Sequence, residues 1–267
     1  MKINLGIAPI AWSNDDMPEL GGDTPIETCL NEAKTAGFSG IELGGKFPRN
    51  PGITKFLLNK YDLKMPGGWY SSFLRERSVD EEWNQMQEHL KLLKLIKADV
   101  FVFADISGSI QGDQNKSLSS RPTLKDNEWK SYGKKISEIS NRLDDSGIPM
   151  SYHEHMGTII QTEEDVDRLL NETNDKTFLL YDTGHLLFAQ ADFYRILKKY
   201  ISCINHVHCK DIRKDILAIS LKDDLSFRES FLKGVFTVPG DGCIDYIPLL
   251  EILYKNNYNK WLVIEAE

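Results

Sequence analysis

Five of the six histidines in this 267-residue chain fall between positions 153 and 208. They sit in three polar signatures at the ends of apolar runs: Tyr152-His153-Glu154-His155, Tyr181-Asp182-Thr183-Gly184-His185 and Asn205-His206-Val207-His208. A fourth polar group, Glu265, closes the run Trp261-Leu262-Val263-Ile264. Imidazoles and carboxylates placed where successive strands end can converge in space though far apart in sequence, and that mixed ligand set suits borderline divalent cations. His153, Asp182, His208 and Glu265 are the expected ligands. Glu42, at the end of Gly40-Ile41-Glu42-Leu43, and Lys210, two residues past His208 and so on the same side of a strand, would face the same space. A lone His-x-His is a weak sign of a metal, whereas four convergent candidates are a strong one. His206 reads as a residue that orients a ligand rather than as a ligand, His185 stands evenly between that role and substrate contact, and His89 reads as an ordinary helix residue.

These groups meet only if the intervening elements repeat. The apolar runs place strands at 2–8, 38–43, 63–70, 99–105, 148–154, 177–182, 203–208 and 260–265. Continuous runs such as Val100-Phe101-Val102-Phe103 mark strands buried on both faces, as in a parallel sheet. Between them the spacing turns helical: Trp129, Tyr132, Ile136, Ile139 and Leu143 form one stripe, which Gly147 ends. Thr24-Pro25-Ile26-Glu27 reads as a capped helix start with Gly37 as terminator, and Thr162 with Asp165 as a weaker one. Eight strand–helix units without a linker fit a single α/β domain over 1–267, a (β/α)8 barrel, with a doubly wound sheet as the alternative from pattern alone. In a barrel the carboxyl ends of the strands form the active face, so the polar candidates would ring one mouth. Two longer connections could cover it: 107–125, with Arg121, and 212–236, which leads into Val238-Pro239-Gly240-Asp241-Gly242. Arg121 and Asp241 are the substrate-contact candidates there.

Bulk properties narrow the partners. A net charge of −8 argues against nucleic acid, which is held by clustered Lys and Arg, and favours a small uncharged substrate. The four cysteines, Cys29, Cys203, Cys209 and Cys243, form no CxxC pair and read as free thiols in a reducing compartment. The first residues are too short and interrupted a run for a signal peptide or membrane span, which makes the cytoplasm the expected location.

Several segments resemble the inosose dehydratases. They are Gly6-Ile7-Ala8-Pro9-Ile10-Ala11-Trp12 with Asn14-Asp15, Gly40-Ile41-Glu42-Leu43-Gly44, and Tyr152-His153 with His155-Met156-Gly157-Thr158. Asp182-Thr183-Gly184-His185, His206-Val207-His208 with Lys210-Asp211, Gly234-Val235-Phe236-Thr237-Val238-Pro239-Gly240-Asp241-Gly242 and Glu265-Ala266-Glu267 continue the match along nearly the whole chain. The Asp-x-Gly-His and His-Val-His elements are shared with the wider xylose-isomerase-like TIM barrels, which include sugar isomerases, epimerases and abasic-site endonucleases. The resemblance implies a metal-dependent lyase that removes water from scyllo-inosose to give a trihydroxycyclohexane-dione, with Mn or Co as the expected ion. Zn, Fe and Mg stay open, because the ligand set suits them too. In the wider group the first ligand on the fifth strand is a glutamate. Here His153 takes that position, and Glu154 points to the other face unless a bulge reverses the alternation. Relatives run on past Glu267, so the barrel is expected to lack its last helix and to expose an apolar flank that favours self-association.

That reaction removes a proton beside a ketone and expels a hydroxyl from the next carbon. Glu42, His155, His185 and Lys210 are the titrating groups available on the expected face. Lys210, whose pKa a nearby dication would lower, is the expected proton donor to the leaving hydroxyl, and His155 the expected base. Glu42 has a second reading as a buried hydrogen-bond acceptor. Trp12, Trp69 and Phe236 would offer apolar faces to a cyclitol ring. A ketose isomerase or epimerase on the same framework and a sugar-binding barrel without turnover are the competing functions. The first would return the proton without losing water, and the second would bind ligand without chemistry.

Overall fold

The computed structural model describes residues 3–15, 17 and 19–266, so Lys2 of the first expected strand and Glu267 of the closing tripeptide lie outside the described residues. The strands are β1 (Asn4–Ile7), β2 (Gly40–Ile41), β3 (Trp69–Ser72), β4 (Phe101–Asp105), β5 (Met150–His153), β6 (Thr177–Asp182), β7 (Ile204–Cys209), β8 (Asp211–Ile212), β9 (Phe236–Thr237) and β10 (Trp261–Ile264). Eight of them pair in the order β2-β1-β10-β7-β6-β5-β4-β3, and every pairing is parallel. The two ends of that order are joined by the isolated parallel bridges Gly40 to Lys64 and Leu43 to Gly68. There the N–H groups of Ile41 and Leu43 donate to the carbonyls of Lys64 and Gly67, each at 3.0 Å. Closure through the first and last strands of the sheet makes this a (β/α)8 barrel and sets aside the doubly wound alternative. β8 and β9 form an antiparallel pair outside it.

The helical stripe expected from spacing is the buried face of the helix Asp126–Asp145: Trp129, Tyr132, Ile136, Ile139 and Leu143 all lie in the core. Gly147 ends it at φ 81°, a left-handed conformation that suits glycine. Thr162 and Asp165 form a full capping box, stronger than its sequence suggested: each side chain accepts the other's backbone N–H, at 3.2 and 2.9 Å. Thr24 does not cap. Pro25 holds the N-cap position and no side-chain bond is made there. The third strand starts later than expected, at Trp69 rather than 63. Pro66 has no N–H for a ladder, and its carbonyl instead accepts from Asp99 and Val100.

A second apolar cluster, containing Leu118, Phe227, Phe231 and Phe236, is built largely from the two long connections and draws in Met156 from the loop after β5 and Phe188 from the helix after β6. The two connections are tied to each other. Leu118 N–H donates to the Leu225 carbonyl at 3.1 Å, and Ser119 N–H to Asp224 Oδ1 at 3.0 Å. The connections therefore form a cap over the carboxyl ends of the strands. Helix Tyr246–Lys255 presents Ile247, Leu250 and Tyr254 to solvent, and among the described residues no helix follows β10. No helix among them is long and apolar enough to cross a membrane.

His89 packs between Tyr70 and Phe101, its Nε2 3.3 Å from the Gly68 carbonyl, and burial pushes its pKa down to about 4. The folded protein therefore resists protonating a group that the unfolded chain protonates near pH 6.5. Stability contributed by neutral His89 is complete above that value and is lost as pH falls toward 4. Between pH 7.5 and 5 the wild type is expected to lose about 2 kcal/mol more than His89→Leu in urea unfolding. Parallel losses would assign the acid sensitivity elsewhere.

Candidate active site

Three strand ends and one residue past a fourth bring the polar candidates together. His153 ends β5, Asp182 ends β6, His208 sits in β7 paired in register with Asp182, and Glu265 follows β10. All four are buried. The sheet's register irregularity lies between β6 and β7, where Asn205 is the extra residue opposite Leu179 and Leu180, while β5 pairs with β6 through His153 without a shift. His153 faces the cavity, while Glu154 turns away and accepts the Asp182 N–H at 3.3 Å.

Asp182 divides its two oxygens. Oδ1 accepts the N–H groups of Gly184 and His185, at 2.8 and 2.9 Å, capping the helix Thr183–Phe188. Oδ2 has no hydrogen-bond partner and stands 3.8 Å from His153 Nε2 and 3.5 Å from His208 Nδ1. His208 Nδ1 is also 2.8 Å from Glu265 Oε2. Ligand atoms of His153, Asp182 and His208 lie within 4.8 Å of one another, as do those of Asp182, His185 and Glu265. Buried oxygen and nitrogen atoms without hydrogen-bond partners are costly in a protein interior, and this group fits a cation. Burial alone would discharge His208, but the Glu265 and Glu42 carboxylates outweigh it and hold its pKa well above the ordinary value.

Glu42 supports this group from behind. Its Oε1 is 2.7 Å from His206 Nε2 and its Oε2 3.2 Å from His208 Nε2. Burial works to raise its pKa, yet the two imidazoles draw it down to about 2, so the carboxylate stays ionised. Lys210 is fully buried, with Nζ 2.7 Å from Glu265 Oε1, 3.3 Å from His185 Nε2 and 4.6 Å from the centre of the Phe236 ring. Its stem passes over Gly184, where a Cβ would come within 2.6 Å of it; no other residue type fits there. His185 stays neutral, because burial first and the neighbouring His155 and Lys210 next push its pKa well below the usual range.

The cavity measures about 600 Å³ and is lined by Glu42, Trp69, His153, His155, His208 and Glu265 among others. Trp69 meets His153 and His155 edge-on, each at 5.5 Å, and Phe227 of the cap covers His155 at 5.2 Å. Four expected substrate contacts are placed elsewhere. Arg121 pairs with Asp165 at 2.8 Å and donates to the carbonyls of Thr158 and Ile159, so it clamps two loops together. Asp241 is spent on Thr237 and Arg213 at the surface. Trp12 donates to Glu32, outside the cavity lining. Phe236 packs under Lys210 and against His185, beside the cavity rather than in its wall. The lining instead includes Arg49, Gln111, Ser71, Ser109 and Asp15, which carry no periodic or ligand-spacing signal; of these only Asp15 belongs to a recognisable motif, the Asn14-Asp15 pair after Trp12.

Fold and site together define a (β/α)8 barrel enzyme whose strand ends carry a buried cluster of His, Asp and Glu side chains able to hold a divalent metal. The chain belongs to the xylose isomerase-like TIM barrel family, whose model matches residues 30–267, and within it to the group that holds the inosose dehydratases. It is 44% identical over 267 residues to the rhizopine catabolism protein MocC of Rhizobium meliloti, covering 100% of this chain and 82% of that protein. It is 40% identical over 268 residues to the inosose dehydratase of Clostridium tetani, covering 100% and 90%. Among solved structures, the IOLI protein with a bound zinc atom superposes with a TM-score of 0.70 at 15% identity, over 99% of this chain and 89% of that one.

Proposed function

We propose that the protein is a metal-dependent dehydratase that removes water from scyllo-inosose, with His153, Asp182, His208 and Glu265 holding Mn or Co. The observation that carries this reading is the unsatisfied Asp182 Oδ2 facing His153 and His208 within a cavity that also presents His155 and Glu265. The C. tetani relative, named for this reaction, supports the choice of substrate. The chemistry a dication supplies at such a site is stabilisation of the negative charge that develops on a ketone oxygen.

The chain's own groups handle the protons. His155 donates from Nδ1 to the Met156 carbonyl at 2.8 Å, a bond that assigns the lone pair to Nε2, the nitrogen suited to take a proton from the carbon beside the ketone. Lys210 holds its protons one contact behind the cavity wall, against Glu265 Oε1, and is the donor toward the leaving hydroxyl. Glu42 acts through His208, which it orients, rather than as a base. Trp69 offers an apolar wall to the ring, and the cap with Phe227 keeps water away from His155.

The test is an assay of metal-stripped protein on scyllo-inosose with Mn, Co, Zn, Mg or no addition, following the conjugated dione by ultraviolet absorbance. Turnover is expected only with metal restored, highest with Mn or Co. Undiminished turnover in the stripped protein would overturn the metal assignment. An isomeric ketone formed without absorbance would indicate an isomerase, and binding without any product a non-catalytic barrel.

A further inference from the structure

The cavity is larger than one ring requires. At the roughly 30 Å³ that liquid water allots each molecule, the twelve heavy atoms of a six-carbon cyclitol ketone fill at most about 360 Å³, against 600 Å³ here. His153, His208 and Glu265 stand on the strand ends at the inner part of this space, whereas Arg49, Asp15 and Gln111 are carried on the loops beyond them. The loops thus extend the cavity beyond the strand ends, and Arg49 is the cation among the residues that line it.

Arg49 differs from every other arginine in the chain. The eight others each approach a carboxylate oxygen within 3.9 Å. Arg49 is exposed, lines the cavity, and makes no hydrogen bond or ion pair among the described residues. Its backbone is nonetheless fixed on both sides. At Gly44 a Cβ would come within 2.4 Å of Pro9, and at Gly45 within 2.7 Å of Asp15, so the loop runs flush against the one after β1. Gly45 N–H donates to Asp15 Oδ2 at 2.8 Å, and Phe47 is buried. Asn50 caps the helix Pro51–Lys60 by accepting the N–H groups of Gly52 and Ile53. A rigid loop thus presents one unpaired guanidinium to the cavity, which lowers the ordering cost of using it.

We propose that Arg49 is a substrate-specificity residue whose guanidinium fork donates two hydrogen bonds to vicinal hydroxyl oxygens on the ring edge opposite the ketone. The inference rests on reading the site as that of a cyclitol dehydratase: the ketone goes to the inner cluster, which turns the far edge toward the loops. The extra volume lets the exposed side chain fold down over the bound ring.

The experiment compares wild type, Arg49→Gln and Arg49→Lys, all metal-loaded. It measures KM and kcat with scyllo-inosose, and the Kd of myo-inositol, a non-reacting cyclitol without a ketone, by calorimetry. In Arg49→Gln, KM and Kd are expected to rise about 10- to 100-fold, as for loss of hydrogen bonds from a charged donor, with the loss carried by KM rather than kcat. Arg49→Lys is expected to recover little, because it keeps the charge and loses the fork. Metal content and thermal melting should not move, which separates this role from a structural one. If scyllo-inosose is turned over but neither constant changes, the assignment of Arg49 is overturned and the reaction stands. If myo-inositol binding weakens in Arg49→Gln while scyllo-inosose is not turned over, Arg49 stands and the reaction is overturned. Failure of the wild type to bind either polyol overturns both.

Discussion

Asp182→Asn is expected to leave the fold in place while removing both the ion and the reaction. The two oxygens of Asp182 have separate duties: Oδ1 caps the helix Thr183–Phe188, and Oδ2 faces His153 and His208 without a hydrogen bond. Asparagine caps helices about as well as aspartate, so the first duty survives. The second does not, since a neutral amide contributes no charge to a dication. Turnover is expected to fall at least about 1000-fold, which corresponds to about 4 kcal/mol of lost transition-state stabilisation. Elemental analysis after dialysis should find the ion gone, and the far-ultraviolet dichroism should be unchanged. Full metal occupancy with more than a tenth of the wild-type rate would remove Asp182 from the ligand set.

The second large effect is expected where the ion is kept and the protons are mishandled. Lys210→Met preserves the apolar stem that lies over Gly184 and packs on Phe236, and removes only the ammonium held between Glu265 and His185. His155→Ala removes the imidazole whose Nδ1 is committed to the Met156 carbonyl. Each change is expected to lower kcat by about 100- to 10,000-fold, the range for losing a positioned acid or base, with metal content within error of wild type. For Lys210 the metal measurement matters most. Burial favours the neutral form of Glu265, and Lys210 is the largest influence holding its carboxyl well below the usual range instead. A variant that lost its ion would report on Glu265 rather than on proton donation. Unchanged kcat in either variant, with the ion in place, would refute that residue's role.

Much of this was legible in the sequence because the barrel makes legible patterns. Strands buried on both faces appear as unbroken apolar runs, and residues that end them must share one face, so His153, Asp182, His208 and Glu265 could be brought together by number alone. The third strand was misjudged because Pro66, Gly67 and Gly68 sit within an otherwise extended segment that is held by isolated bridges. Errors in the site came from loops. Position on long connections suggests Arg121 and Asp241 as substrate contacts, but their roles depend on Asp165 and Arg213, which are distant in sequence and meet them only in the folded chain. Arg49 carries no such signal for the opposite reason: its proposed role rests on having no carboxylate partner among the described residues, and an unpaired charge has no spacing. His155 lines the cavity at the strand ends, as its position predicts, whereas Lys210 and His185 lie one layer behind the cavity wall.

The order in which the strands are made has its own consequence. β10 lies between β1 and β7, so the first strand to emerge from the ribosome waits for the last before its second edge is paired. Until residue 264 has been synthesised, β1 and β7 each offer a row of unpaired backbone groups, the kind of edge on which chains aggregate. The same late event delivers Glu265 beside His208. The proposed ligand set therefore straddles this seam: His153, Asp182 and His208 come from neighbouring middle strands, and the fourth member joins them only when β10 is in place.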